Sequence, residues 1–319
     1  MVSSFTSTTA SRTTTIITTI ITTTTATKPH VNKRKMYVAS YAKINLFLEV
    51  LAKRPDGFHE VNTVFSSIDL CDFIRFALTK KPLVKLWANI VELSSTGNLI
   101  YRIAEFMMRE FKPSQGVEIH LDKHIPIAAG LGGGSSNAAV TIMCLSKLWG
   151  ISLTETEINE IAASFGSDIN YFLTGGTANG RGRGESVTSW SNINLDKILL
   201  VNPNLHISAK EAYSLVKVPS EPRKWEQGST ISNCFNRLED GIKSSYPVIE
   251  TIIKRFRSYN PPVAMMSGSG STCFAIFDSL EDLVECKAGF DRDGYWTKQV
   301  RTIGKEEYQS VFKTQIDHR

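Results

Sequence analysis

Pro126-Ile127-Ala128-Ala129-Gly130-Leu131-Gly132-Gly133-Gly134-Ser135-Ser136-Asn137 sits between two patterned stretches. Before it Val117, Ile119 and Leu121 alternate as in a strand. After it, residues 135–149 are mostly apolar and stop at Gly150, as in a buried helix. The segment is therefore a strand-to-helix connection, where backbone N–H groups and hydroxyls gather at a helix N-terminus and bind phosphate. Glycine suits the task because it lets the backbone approach an anion closely and takes positive φ without strain. A flexible linker is the plain alternative, yet a linker needs neither Leu131 in its middle nor a Ser-Ser-Asn-Ala-Ala helix start after it. The loop is not a Walker A sequence, since no Gly-Lys-Ser/Thr follows, and it lacks the acidic partner of a dinucleotide fingerprint.

Working outward, Ile44, Leu46, Leu48 and Val50 alternate with Lys43, Asn45, Phe47 and Glu49, which predicts a half-buried strand with Lys43 and Asn45 on the face opposite the aliphatic row. Arg54-Pro55-Asp56-Gly57 has turn chemistry, and residues 58–70 and 72–76 read as extended segments. Asn98 can cap a helix whose Leu99, Ile103, Phe106 and Met107 share a face. A capping box at Ser152-x-x-Glu155 or Thr154-x-x-Glu157 opens a helix running to Gly166. Further strands are expected over 198–201 and 273–277, and helices over 209–216 and 248–256. Strands mixed with helices, without a βαβ cadence or an internal repeat, predict an α+β chain, and 319 residues suffice for two domains.

The net charge of +5 comes from the first 35 residues, where Arg12, Lys28, Lys33, Arg34 and Lys35 stand without an acid; the rest carries 31 bases against 31 acids. A neutral body has no charge footprint for nucleic acid. Five scattered cysteines without a CxxC pair read as reduced, buried thiols. The apolar stretches fall short of the roughly 20 residues that a membrane span needs. Residues 1–35 are rich in threonine and serine and cannot bury enough surface to fold alone. They read as a transit peptide or as an extension ahead of a start at Met36, and the second reading is preferred because Met36 directly precedes the first strand and arginine is scarce.

Asp168, in Gly166-Ser167-Asp168-Ile169, follows a helix end, so its carboxylate either projects from a turn as a base or caps the next helical turn. Lys43 is either a solvated strand lysine or a cation serving a reacting group. Met266-Ser267-Gly268-Ser269-Gly270-Ser271-Thr272 is a second glycine turn ahead of an apolar strand.

Pro-x-x-x-Gly-Leu-Gly-Gly-Gly-Ser-Ser-Asn-Ala-Ala resembles the ATP loop of the GHMP kinases. Ala42-Lys43-Ile44-Asn45-Leu46 resembles their first motif, Gly166-Ser167-Asp168-Ile169 their catalytic aspartate segment with Asn170 in place of a usual proline, and residues 266–272 their third motif. The resemblance covers most of residues 37–278. It implies a two-domain GHMP fold, with a ribosomal protein S5 domain 2-like N-terminal domain over 36–185 and a ferredoxin-like C-terminal domain over 186–319. It further implies Lys43 and Asp168 as catalytic residues and 126–136 as the ATP loop. Gly268, Ser269 and Gly270 become the turn closing the phosphate site, and Gly182-Arg183-Gly184-Glu185 a structural turn. ATP and Mg²⁺ are the implied cofactors, with Ser135 or Ser136 as candidate contacts to the metal.

Arg54-Pro55-Asp56-Gly57-Phe58-His59 resembles the element by which one branch of the family holds cytosine. The implied substrate is 4-diphosphocytidyl-2-C-methyl-D-erythritol, phosphorylated on its 2-hydroxyl in the non-mevalonate route to isoprenoids. Asn45 would help bind it, Phe58 would stack on the base, His59 would hydrogen-bond to it, and Tyr213 would form the opposite wall. No nucleic-acid or membrane partner is expected, and the chain is expected to be a monomer or homodimer. Residence would be cytoplasmic for a chain begun at Met36 and the plastid stroma for one with a transit peptide. The competing readings are a homoserine or mevalonate kinase and a catalytically inactive ligand sensor of the same fold.

Overall fold

The computed structural model describes residues 35–313. The expectation for residues 1–35 therefore lies, apart from Lys35, outside the described residues. A long hairpin of β1 (Lys35–Lys53) and β2 (His59–Thr79) forms the spine of the molecule. Its turn is fixed by Arg54 N–H donating to Phe58 O at 2.8 Å and by Phe58 N–H donating to Asp56 Oδ1 at 3.1 Å. The extended segments expected over 58–70 and 72–76 are one continuous strand. β3 (Val84–Ala88), β4 (Gly116–Asp122), β5 (Thr177–Arg181), β6 (Ser186–Ser189) and the short β8 (Phe235–Asn236) complete the sheet in the order β3-β4-β2-β1-β8, with β5 paired to β2 and β6 to β5.

Helices α1 (Leu99–Phe111), α2 (Gly133–Trp149), α3 (Glu155–Phe165) and α4 (Ile169–Thr174) contribute to the core on this sheet. Asn98 caps α1 through Ile100 N–H, Gly150 ends α2 at φ +66°, and of the two candidate capping boxes Thr154 with Glu157 forms. A second sheet, β7 (Ile198–Asn202), β9 (Val263–Met266), β10 (Cys273–Ile276) and β11 (Trp296–Val300), is antiparallel throughout in the order β11-β7-β10-β9. With α5 (Ala209–Ser214), α6 (Glu239–Ser245), α7 (Pro247–Arg257) and α8 (Leu280–Arg292) it builds a second core. The order β7–α7–β9–β10–α8–β11 is the βαββαβ pattern of ferredoxin-like domains.

β1 is buried on both faces, not half-buried as its alternation predicts: Lys43, Asn45 and Glu49 are as enclosed as Ile44 and Leu46. The reason is a third apolar cluster between the two sheets, where Ile44, Leu46, Phe47 and Ile68 meet Ile198, Leu200, Phe274 and Val300. Before the register shift at Tyr41/Lys43, Met36 and Val38 point into the core under the helices. After it, Ala42, Ile44 and Leu46 point into the core between the sheets. A bulge exchanges the faces of a strand, and this one delivers Lys43 to the helix side.

The expected boundary at 185/186 cuts the β5–β6 hairpin, which belongs wholly to the first sheet. The chain also returns: Thr302 bridges to Ile68, and α9 (Lys305–Lys313) seats Tyr308 in the first core. A Cβ at Gly175 would lie 2.1 Å from the Tyr308 ring, so the docking needs glycine there. The cysteines are free thiols among the described residues, with Cys144, Cys273 and Cys286 buried and Cys71 and Cys234 half-buried. No described helix is long and apolar enough to cross a membrane.

Candidate functional site

Residues 126–136 curl between β4 and α2, with φ of +51° at Ala128, +75° at Gly130 and +69° at Gly132. The loop is held from both sides. Lys43 N–H donates to Leu131 O at 3.0 Å and Lys43 Nζ to Gly130 O at 3.0 Å. Ser267 Oγ donates to Gly130 O at 3.1 Å, and Thr272 N–H to Ala129 O at 3.2 Å. The closing turn thus packs directly on the loop, and a Cβ at Gly130 would strike Ser267 O at 2.1 Å. The glycines of α2's first turn differ. A Cβ at Gly133 would meet Lys123 Nζ at 2.8 Å and Ile125, whereas Gly134 faces open space. Gly134 is therefore the position where the backbone lies bare to a ligand, and Gly133 serves packing. Ser135 is half-exposed on that turn. Ser136 is buried, its Oγ 2.7 Å from Ser40 Oγ.

Asp168 immediately precedes α4, but its side chain makes no capping hydrogen bond, so the capping alternative does not describe it. Its Oδ2 stands 3.7 Å from Lys43 Nζ, and its side chain is 36% exposed against 4% for Lys43. Burial pushes the Lys43 ammonium below the ordinary lysine range, with Asp168 partly opposing the shift. Lys43 Nζ also donates to Asn45 Oδ1 and lies 5.6 Å from the Phe65 ring centroid. Asn45 Nδ2 donates to Thr63 Oγ1 at 2.8 Å, and Asn45 N–H to Ser267 Oγ at 3.3 Å. Lys43, Asn45, Asp168, the loop and residues 267–268 therefore converge on one place. A Cβ at Gly268 would be 2.9 Å from Asn45 Oδ1 and 3.2 Å from Lys43 Nζ.

The turn Gly182–Glu185 reaches the same place, since a Cβ at Gly184 would sit 3.5 Å from Asp168 Oδ1. Asn170, in the place of a usual proline, ties the backbone through its side chain. Its Nδ2 donates to Asn159 O and Asn159 Oδ1, both at 2.9 Å, pinning α4 to α3.

Two contributors were not legible in the sequence. Asp72 is fully buried and accepts from Lys123 Nζ at 2.6 Å, His124 N–H and Ile125 N–H at 2.8 Å each, and Asn137 Nδ2 at 2.9 Å. It binds the entry of the glycine loop to the start of α2. Asn236 Nδ2 donates to Met266 O and Gly268 O at 2.8 Å each, fixing the closing turn. Both lie far in sequence from what they hold, and a lone Asp or Asn gives no local signal.

The aromatic end differs from expectation in its details. Phe58 is 51% exposed, with the Arg183 guanidinium over its ring at 4.9 Å. His59 stacks on Tyr213, centroids 5.2 Å apart at 21°. Phe58 and Tyr213 thus do not enclose an open slot; the imidazole fills one side of Tyr213, and Phe58 waits outside under an arginine. Burial, with Asp168's charge adding to it, raises the Tyr213 phenol pKa, and burial, helped by Lys53, lowers that of His59. His59 and Tyr213 are accordingly neutral partners near pH 7.

The family model described as GHMP kinases N terminal domain matches residues 98–179, and that described as GHMP kinases C terminal matches 221–295. A 4-diphosphocytidyl-2-C-methyl-D-erythritol kinase from Caldanaerobacter subterraneus is 39% identical over 262 residues, covering 78% of this chain and 91% of that protein. Among solved structures, a 4-(cytidine 5'-diphospho)-2C-methyl-D-erythritol kinase superposes with a TM-score of 0.74 at 26% identity, over 84% of this chain and all of that one. Homoserine kinase from Cytophaga hutchinsonii superposes with a TM-score of 0.65 at 14% identity, over 89% of this chain and 99% of that one, a likeness of fold alone.

Proposed function

The chain belongs to the GHMP kinase family, and from that membership we infer that it transfers phosphate from ATP to the 2-hydroxyl of 4-diphosphocytidyl-2-C-methyl-D-erythritol, the compound named by its relatives. The observation that carries the mechanism is the convergence of Lys43 and Asp168 beside the glycine loop. Asp168, half open to solvent, accepts the proton of the attacking hydroxyl as the new O–P bond forms. Lys43 stands 3.7 Å from that carboxylate and favours the oxygen on which negative charge develops. The polyphosphate lies on the first-turn amides of α2, which have no partner inside the helix. Gly134 leaves the approach bare, and residues 268–270 close over it.

Magnesium bound with the nucleotide would supply positive charge against the phosphate oxygens. The described residues contain no cluster of three His, Cys, Asp or Glu that would hold it independently. Ser135 fits as its contact better than Ser136, whose hydroxyl is engaged with Ser40. The substrate's cytosine inserts at Phe58, His59 and Tyr213, with His59 moving from its stack on Tyr213 to make room. An inactive sensor of the same fold is disfavoured by the intact Lys43–Asp168 pair. Localisation follows from the leader, and a fluorescent fusion of residues 1–35 separates the cytoplasm from the plastid stroma.

The test is ADP release by the purified chain with the diphosphocytidyl substrate, homoserine and mevalonate in parallel. Turnover confined to the first is expected; turnover on either control instead would replace the substrate assignment. Within that assay Phe58→Ala should weaken the cytidine substrate by roughly one to two decades, the scale of one lost base stack, with ATP unaffected.

A further inference from the structure

The returning segment 301–313 lies behind the Lys43–Asp168 pair. Arg301 N–H donates to Asp69 Oδ1 at 3.0 Å, Asp69 N–H donates to Arg301 O at 3.1 Å, and Ile303 N–H donates to Ser67 O at 2.9 Å. Ser67 is the cross-strand partner of Lys43 in the β1–β2 ladder. Its hydroxyl lies 2.6 Å from Tyr171 Oη, which donates to Gly176 O at 2.7 Å. The segment thus sutures the strand pair that carries Lys43.

α9 does the same for the helix behind Asp168. α4 has six residues, too few to be stable alone, and a helix end leaves carbonyls without partners. Gly175 N–H takes Tyr171 O at 2.8 Å. The next carbonyl, Phe172 O, accepts from Tyr308 Oη at 2.6 Å, and Thr174 O accepts from Gln309 Nε2 at 3.4 Å. A distant helix therefore caps α4. Tyr308 is 1% exposed, and the Phe172 ring that its hydroxyl helps fix lies where a Cβ at Gly132 would be, 2.6 Å away. One side chain therefore underlies both the helix that presents Asp168 and the loop beside it.

We propose that Tyr308 is a positioning residue for phosphoryl transfer: its hydroxyl, by capping α4 at Phe172 O, holds Asp168 at its station opposite Lys43. The proposal rests on the assignment of Asp168 as base and goes beyond it, because Tyr308 lies on the far side of α4 and touches neither substrate. Tyr308→Phe keeps the ring in its seat and removes only the capping hydroxyl. It should lower kcat about tenfold, the scale on which small displacements of a reacting group act. KM for the diphosphocytidyl substrate should stay within about twofold, because Tyr308 meets α4 and, through Ser136, the glycine loop, but none of Phe58, His59 and Tyr213. Combined with Asp168→Asn it should cost nothing further in kcat, since a misplaced base that is already absent cannot matter.

Wild-type kcat in Tyr308→Phe beside a disabled Asp168→Asn would overturn the positioning role alone. A further loss in the double variant would do the same. Full turnover in Asp168→Asn would instead overturn the assignment of the base and the proposal with it. Hydrogen exchange on the unaltered enzyme reads the coupling without any variant. Amides of 170–174 and 306–310 should open as one unit, and release of α9 with α4 still protected would overturn the proposal.

Discussion

Two lysine–aspartate pairs flank the glycine loop, made of the same residue types and put to opposite uses. Lys123 and Asp72 stand 2.6 Å apart with both side chains enclosed, and the carboxylate receives four donors. Lys43 and Asp168 stand 3.7 Å apart, beyond hydrogen-bond length, with the carboxylate partly in solvent. Burial lowers the pKa of both lysines, against the pull of their aspartates. The difference lies in saturation: Asp72 has its oxygens filled and behaves as a joint, while Asp168 keeps the lone pairs that the base proposed above requires. A carboxylate left underemployed in a well-packed site is the more informative of the two.

The largest effect should come from emptying the saturated pair. Asp72→Asn leaves Lys123 buried without its counter-charge and should destabilise the fold by about 3–5 kcal/mol, read from denaturant melts. Lys123 can shed its proton, so the loss should shrink as pH rises; the unfolded lysine keeps its proton to near 10.5 while the folded one does not. A melt unchanged at pH 7 would mean that the joint carries no weight.

Asp168→Asn should do the reverse. Stability should hold, ATP should bind, and turnover should fall by about 100-fold or more, the scale of a general base. If it retained near-wild-type rates, the contrast between the pairs would collapse.

Adjacent glycines sharpen the same contrast on a smaller scale. Gly133→Val drives a side chain into Lys123 and Ile125 and should cost about 1–3 kcal/mol of stability, as overpacking does. Gly134→Val, facing open space, should leave the melt within about 0.5 kcal/mol and raise the KM for ATP. Equal behaviour of the two variants in calorimetry and kinetics would remove the distinction between packing glycine and ligand glycine.

The smallest effect is one of pH. Lys43 loses its proton below the ordinary 10.5, because burial outweighs Asp168, so kcat should begin to fall on the alkaline side before that value. Stability runs the other way. The unfolded chain holds that proton through a window in which the folded chain has released it, so rising pH there favours folding. Lys43→Arg should abolish the alkaline fall, and its persistence would assign the limb to another group.

Much of this was legible locally. The glycine loop, Lys43-x-Asn45, Asp168 and the Asn98 cap are written in short windows, where spacing and residue type reflect nearby backbone chemistry. What escaped is what depends on distant chain. The alternation around Lys43 reads as half-buried because it cannot show that a second sheet will cover the strand, nor that a bulge at Tyr41/Lys43 will exchange its faces. Asp72, Asn236 and Tyr308 act on segments tens to hundreds of residues away. The neighbours that Phe58 and His59 take, Arg183 over one ring and Tyr213 against the other, also escaped, since a motif does not say which neighbour a ring settles against.

The return of the chain also sets a schedule. Tyr308 caps a carbonyl 136 positions upstream, and Arg301 pairs with a residue 232 positions before it. At about 5–20 residues per second a ribosome needs on the order of 10 s to bridge the first interval. During that time the half bearing Lys43 and Asp168 exists without its last buttress. Contacts so distant are also the slowest to close. The enzyme is thus finished from its tail: a polypeptide halted before Tyr308, by a stop codon or a protease, carries Lys43, Asp168 and the glycine loop yet lacks the support behind them.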